Sequence, residues 1–136
     1  MTDRRRFIQT TLTVASGIAL GQTSTAFAAS DSSCSEGIIY TAKNPGKWAN
    51  KVGGHEPQVS VQGNKVTITT EHGMSEGHYI VRHTLVAADG KVLGAKTFYP
   101  SDEPVSSFDL PAGYTGKLQA TSYCNKHDLW VAEFTV

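Results

Sequence analysis

The chain has 136 residues, 12 basic against 12 acidic side chains, five histidines and two cysteines. That length suits one domain with its own core. The even charge balance, with no basic stripe and no aromatic ladder, argues against a nucleic-acid binder. No C-x-x-C pair is present, which removes zinc ribbons and thioredoxin-like redox sites.

The first element in chain order is an export leader. Arg4, Arg5 and Arg6 precede Phe7 and Ile8, a modest apolar run follows from Leu12 to Leu20, and Ala26-Phe27-Ala28 forms a small-x-small cleavage site. The run is too short to span a bilayer. Paired arginines directly before phenylalanine predict the twin-arginine route, with residues 1–28 as signal peptide and a periplasmic product free of the membrane. Cleavage after Ala28 takes three of the 12 basic and one of the 12 acidic residues, leaving the mature chain mildly acidic. Residues 29–45 are polar at first and then irregular, and are expected to form a flexible lead-in to a single domain over 46–136.

Asn44-Pro45-Gly46 and Gly53-Gly54 punctuate the stretch up to Pro57. Strand patterns then take over. "QVSVQGNKVTITT" alternates about Gly63-Asn64, a two-residue hairpin signal, and "HYIVRHTLVAADGKVLGAKTFY" turns at Asp89-Gly90. "SSFDL", "GKLQATSYC" and "LWVAEFTV" supply three more short runs, and no window sustains a helical period. About seven strands predict an all-β, immunoglobulin-like sandwich.

The chemistry-bearing residues lie between these runs. His55 follows Gly53-Gly54; His72 and His78 bracket the glycine-bearing "HGMSEGH"; Cys124 and His127 share "SYCNKHDLW". Loops and strand ends are where functional side chains gather. On a regular strand, His72 and His78 would be carried apart at roughly 3.3 Å per residue, whereas a loop lets them converge. The two-residue period puts His83 on the face opposite His78 and so outside any common site. Closed zinc sites take four ligands, often several of them cysteines, and blue-copper sites take two histidines and a cysteine. Four imidazoles and one thiolate suit a five-coordinate iron, with nitrogens in the plane, sulfur below and one position open opposite the sulfur.

Here the sequence resembles a known family. "SYCNKHDLW" is similar to the C-N-x-H-G-L-W ending of superoxide reductases, the neelaredoxin and desulfoferrodoxin iron domain. "HGMSEGHYI" resembles their H-P-x-x-x-x-H-x-I segment, "GHEPQV" their K-H-V-P entry, and "GKWAN" the G-x-W ahead of it. The likeness covers about residues 46–136 and implies one iron per chain, cycling between Fe2+ and Fe3+, held by His55, His72, His78, His127 and Cys124. It implies reduction of superoxide to hydrogen peroxide with electrons from an external redox protein. With no four-cysteine rubredoxin-like module ahead of the motifs, the likeness is to the single-iron class, and a homo-oligomer is compatible with it.

The departures are specific. Gly53 and Gly54 stand where the family carries glutamate and lysine before the first histidine, Gly73 replaces a proline, and Asp128 a glycine. Lys51 and Glu56 are the candidates left for proton delivery. Two other readings compete: a non-catalytic metal-binding or redox-accessory module on the same site, and a plain exported sandwich closed by a Cys34–Cys124 disulfide.

Overall fold

The computed structural model describes residues 37–136; the expected signal peptide and Cys34 lie outside them. Eight strands form two sheets: β1 (Ile39–Tyr40), β2 (Gln58–Gln62), β3 (Lys65–Thr69), β4 (Ile80–Ala87), β5 (Val92–Thr97), β6 (Val105–Asp109), β7 (Lys117–Cys124) and β8 (Asp128–Thr135). One sheet has the order β1-β8-β7-β4-β5 and the other β2-β3-β6. All pairings are antiparallel except that of β1 with β8. Among the described residues no helix is long and apolar enough to cross a membrane.

The inward residues of alternate positions build the core. Val66 and Ile68 of β3 meet Leu85 of β4 and Leu118 and Ala120 of β7, all fully buried, with Leu110 beside them. Burying one such aliphatic side chain contributes about 2 kcal/mol. Both predicted hairpins form at the predicted residues. Gly63 alone of its pair has a positive φ, +60°, which fits a II′ turn and sets Gln62 opposite Lys65. Gly90, φ +86°, turns β4 into β5.

Two stretches differ from the sequence expectation. The sandwich begins upstream of residue 46, because Ile39 and Tyr40 pair with Leu129 and Trp130. Tyr40 is buried with its ring 5.7 Å from that of Trp130, so packing rather than local propensity orders this part of the lead-in. The expected break at Gly53-Gly54 lies instead in a one-turn helix, α1 (Val52–His55), which continues a 3-10 segment over Gly46–Lys51. Glycine is a poor helix former. The turn is capped where the Glu56 N–H donates back to the Val52 carbonyl at 3.0 Å.

Candidate metal centre

Three segments at one end of the sandwich carry the five predicted residues. The first is α1, whose last residue is His55. The His55 Nδ1–H donates to the Lys51 carbonyl at 2.9 Å, one turn back, which leaves Nε2 as a bare lone pair. The second is the loop between β3 and β4. It opens with a three-residue turn, His72 N–H to the Thr70 carbonyl at 2.8 Å, and tightens where Ser75 and His78 exchange both backbone bonds. His78 thus precedes β4 instead of lying on it, and this loop, not a strand face, brings it back to His72.

The third segment is the β7–β8 hairpin. Cys124 ends β7 opposite Asp128, and Asn125, Lys126 and His127 form the turn. Asn125 fastens this turn to the second segment. Its Oδ1 accepts from the Tyr79 N–H, its Nδ2 donates to the Gly77 carbonyl, and its backbone N–H bonds the Tyr79 carbonyl. The buried Trp130 indole donates to the His127 carbonyl at 2.9 Å and so fixes the turn from below. Neither role was legible in the sequence, where both residues read as part of a motif without a task.

The ring nitrogens converge. His55 Nε2 lies 3.0 Å from His127 Nδ1, which lies 3.0 Å from His78 Nε2, which lies 3.1 Å from His72 Nε2. The His72 and His55 rings close the circle edge to face, 4.6 Å between centroids. Cys124 Sγ stands 3.9 Å from His72 Nε2 and 3.6 Å from His127 Nδ1, and the five ligand atoms lie within 4.8 Å of one another. Four nitrogens at the corners of a square with sides of about 3 Å would each lie about 2.1 Å from its centre, the usual metal–imidazole distance. Each nitrogen offers either a proton or a lone pair, so protons can bridge at most half of the pairs round the circle. A cation satisfies them all at once. The donor set therefore fits a metal ion.

The electrostatics agree. Burial, before any other cause, holds all four imidazoles below the ordinary histidine value, His55 at about 4. Neutral rings at pH 7 are what a metal requires. Cys124, in no disulfide among the described residues, and His55 are buried, while His72, His78 and His127 are half-buried. The sulfur lies on the core side, among Ile80, Phe98 and Met74.

The two proton-delivery candidates part company. The Lys51 and Lys126 ammonium groups lie close enough to His78 and His127 to help burial depress their charged forms. Glu56 instead lines a separate hollow with Thr41, Lys43, Gln119 and Glu133. His83 is excluded as expected and lies fully buried between the sheets.

Asp128 stands where the resembling family carries glycine. It is the one non-glycine described residue with a positive φ, +67°, a conformation that costs on the order of 1 kcal/mol. Its Oδ2 accepts the Trp48 indole N–H at 3.0 Å.

The family model for desulfoferrodoxin matches residues 47–133. The desulfoferrodoxin homolog of Archaeoglobus fulgidus is 33% identical over 79 residues, 56% of this chain and 59% of the relative's length. The superoxide reductase (neelaredoxin) of Ignicoccus hospitalis superposes with a TM-score of 0.59 at 28% identity, over 72% of this chain and 93% of that one. The superoxide reductase (1Fe-SOR) of Giardia intestinalis does so with a TM-score of 0.55 at 30% identity, over 60% of this chain and 97% of that one. The matched stretch takes in more than half of the residues and every member of the cluster: the chain belongs to the desulfoferrodoxin family.

Proposed function

We propose that the chain is an exported superoxide reductase whose centre is one iron ion held by His55, His72, His78 and His127 through nitrogen and by Cys124 through sulfur. The observation that carries this reading is the convergence of those five atoms within 4.8 Å, four nitrogens around and one sulfur on the core side. A ferrous ion bound there would supply the single electron that turns superoxide, with two protons, into hydrogen peroxide.

The chain's own residues provide the rest. Four neutral imidazoles and one thiolate leave a divalent site with a net positive charge, which attracts a small anion. Lys51 and Lys126, close to His78 and His127, add to that field. Burial keeps water from the Cys124 sulfur, whose thiolate would donate electron density to a bound iron. His72, His78 and His127 are half-buried, so a small ligand and solvent protons would have access to the cluster. Lys51 is the group we assign to proton delivery there. The described residues hold one such cluster, so each turnover draws its electron from an external redox protein. Export by the twin-arginine route would place the reaction in the periplasm, on the strength of Arg4, Arg5, Phe7 and the Ala26-Phe27-Ala28 site.

The Gly53-Gly54 pair favours a second reading, in which the same centre binds metal without turnover, since neither residue can supply a charge beside the open face. Stopped-flow decay of superoxide with the reduced protein separates the two. A reductase consumes superoxide stoichiometrically, is oxidised in step, and yields peroxide without oxygen release. A binding module leaves the spontaneous decay unchanged.

A further inference from the structure

Asp128 keeps a left-handed backbone, φ +67°, at the end of the β7–β8 hairpin, where glycine would sit without strain. A side chain retained against strain points to a task for that side chain. Its Oδ2 takes the Trp48 indole N–H at 3.0 Å and stands 3.5 Å from the Lys47 ammonium, which itself lies 5.0 Å over the Trp48 ring. Trp48 is also the residue at which the 3-10 segment departs from helical geometry, φ −103° and ψ 24°. Its ring meets that of His127 edge-on, 4.6 Å between centroids and 88° between planes. Two unusual backbone positions, 80 residues apart in sequence, are therefore joined by one hydrogen bond across a histidine of the cluster.

We propose that Asp128 is a positioning residue of the metal centre: its carboxylate clamps Trp48 against His127 and so closes the segment carrying His55 onto the hairpin carrying Cys124 and His127. The inference rests on the metal-centre reading above. The hydrogen bond is the working part. The clamp sets the orientation of the His127 ring, and with it the direction of Nδ1. Lys47 holds the carboxylate in place from the solvent side, and the Lys51 carbonyl, at the end of the same segment, holds His55.

The test is Co2+ binding by the metal-free protein, followed through its visible spectrum, in wild type, Asp128→Gly, Asp128→Asn and Trp48→Phe. Groups that orient a metal-bound histidine are worth about 10–100-fold in metal affinity. Asp128→Gly should weaken Co2+ binding at least about tenfold and shift the bands, while its thermal midpoint does not fall, because the strain is relieved. Asp128→Asn, which accepts the indole proton and tolerates a positive φ, should come back to within about threefold of wild type. Trp48→Phe should match Asp128→Gly, and the double variant should lose nothing further. Unchanged affinity in Asp128→Gly overturns the clamp, as do additive losses, or an asparagine variant as weak as the glycine one. A wild-type chain that takes up no Co2+ removes the metal-centre reading and this inference with it.

Discussion

His83 ties the two sheets together. It sits on β4 with no exposed surface, its Nε2 2.9 Å from Thr70 Oγ1 and its Nδ1 2.8 Å from Ser106 Oγ, and Thr70 Oγ1 is 2.8 Å from Ser122 Oγ. β4 and Ser122 belong to the larger sheet; Ser106 belongs to the smaller one, and Thr70 directly follows β3. Burial, with a smaller push from Lys96, lowers the imidazole from 6.5 to about 4. The unfolded chain takes up this proton near pH 6.5 and the folded chain only near 4. The unfolded state therefore binds more protons between those values, and stability rises with pH across that window. The His83 contribution is complete above 6.5 and is lost as pH falls towards 4, about 3 kcal/mol in all and about 2 kcal/mol by pH 5. Urea unfolding of wild type and His83→Gln, both metal-loaded, at pH 7.5 and pH 5.0 isolates it. Glutamine can still bond both hydroxyls but does not titrate, and the four cluster histidines cancel in the difference. The wild-type advantage should shrink by about 2 kcal/mol between the two pH values. A difference that stays constant would refute the buried neutral imidazole. Metal content should be the same in both proteins, and a metal-poor variant would contradict the placement of His83 outside the cluster.

Other perturbations probe the fold and the outer face. At Gly94 an added Cβ would overlap the Phe108 ring, so Gly94→Ala should cost about 1–3 kcal/mol in a urea titration. An unchanged midpoint would mean that the sheets are less tightly packed there. Ile68→Ala removes a fully buried core side chain and should cost about 2–5 kcal/mol; a loss below 1 kcal/mol would contradict its place in the core. Lys51→Ala should slow superoxide consumption several-fold and flatten its dependence on ionic strength, because a cation is removed beside an anion's approach. Equal rates with an equal salt slope would take Lys51 out of the account.

Hairpins were legible because their signals are local. Gly63-Asn64 and Asp89-Gly90 carry the turn chemistry themselves, and the β3, β4 and β7 alternation matches their burial. Alternation told less about β2, where Val61 reads as a core position yet is 40% exposed on an edge strand. β1 was invisible for the converse reason: two residues have no period, and Tyr40 is ordered by Trp130, 90 positions on. At the cluster, residue types and loop positions made the five side chains candidates, since a glycine-bearing loop and a C-x-x-H turn can each bend two donors together, and the family resemblance joined them into one set. What holds them there was not legible. Asn125 and Trp48 act through bonds to atoms distant in sequence, which no spacing rule reports, and Trp130 through a bond to the His127 carbonyl three residues back. An indole N–H that must find an acceptor was the one available signal for the two tryptophans. Lys51 and Glu56 were equivalent as sequence neighbours of His55. The structure separates them: the Lys51 charge is felt by His78 and His127, whereas Glu56 lines the separate hollow.

The central claim is an iron centre with Cys124 as its sulfur ligand. Its most direct test is metal analysis of the protein as purified, with a visible spectrum before and after mild oxidation, for wild type and Cys124→Ser side by side. The account predicts about one iron per wild-type chain, a broad long-wavelength thiolate-to-iron band that appears on oxidation, and no such band in the serine variant. A wild-type protein without iron, or a band that survives in Cys124→Ser, would contradict it.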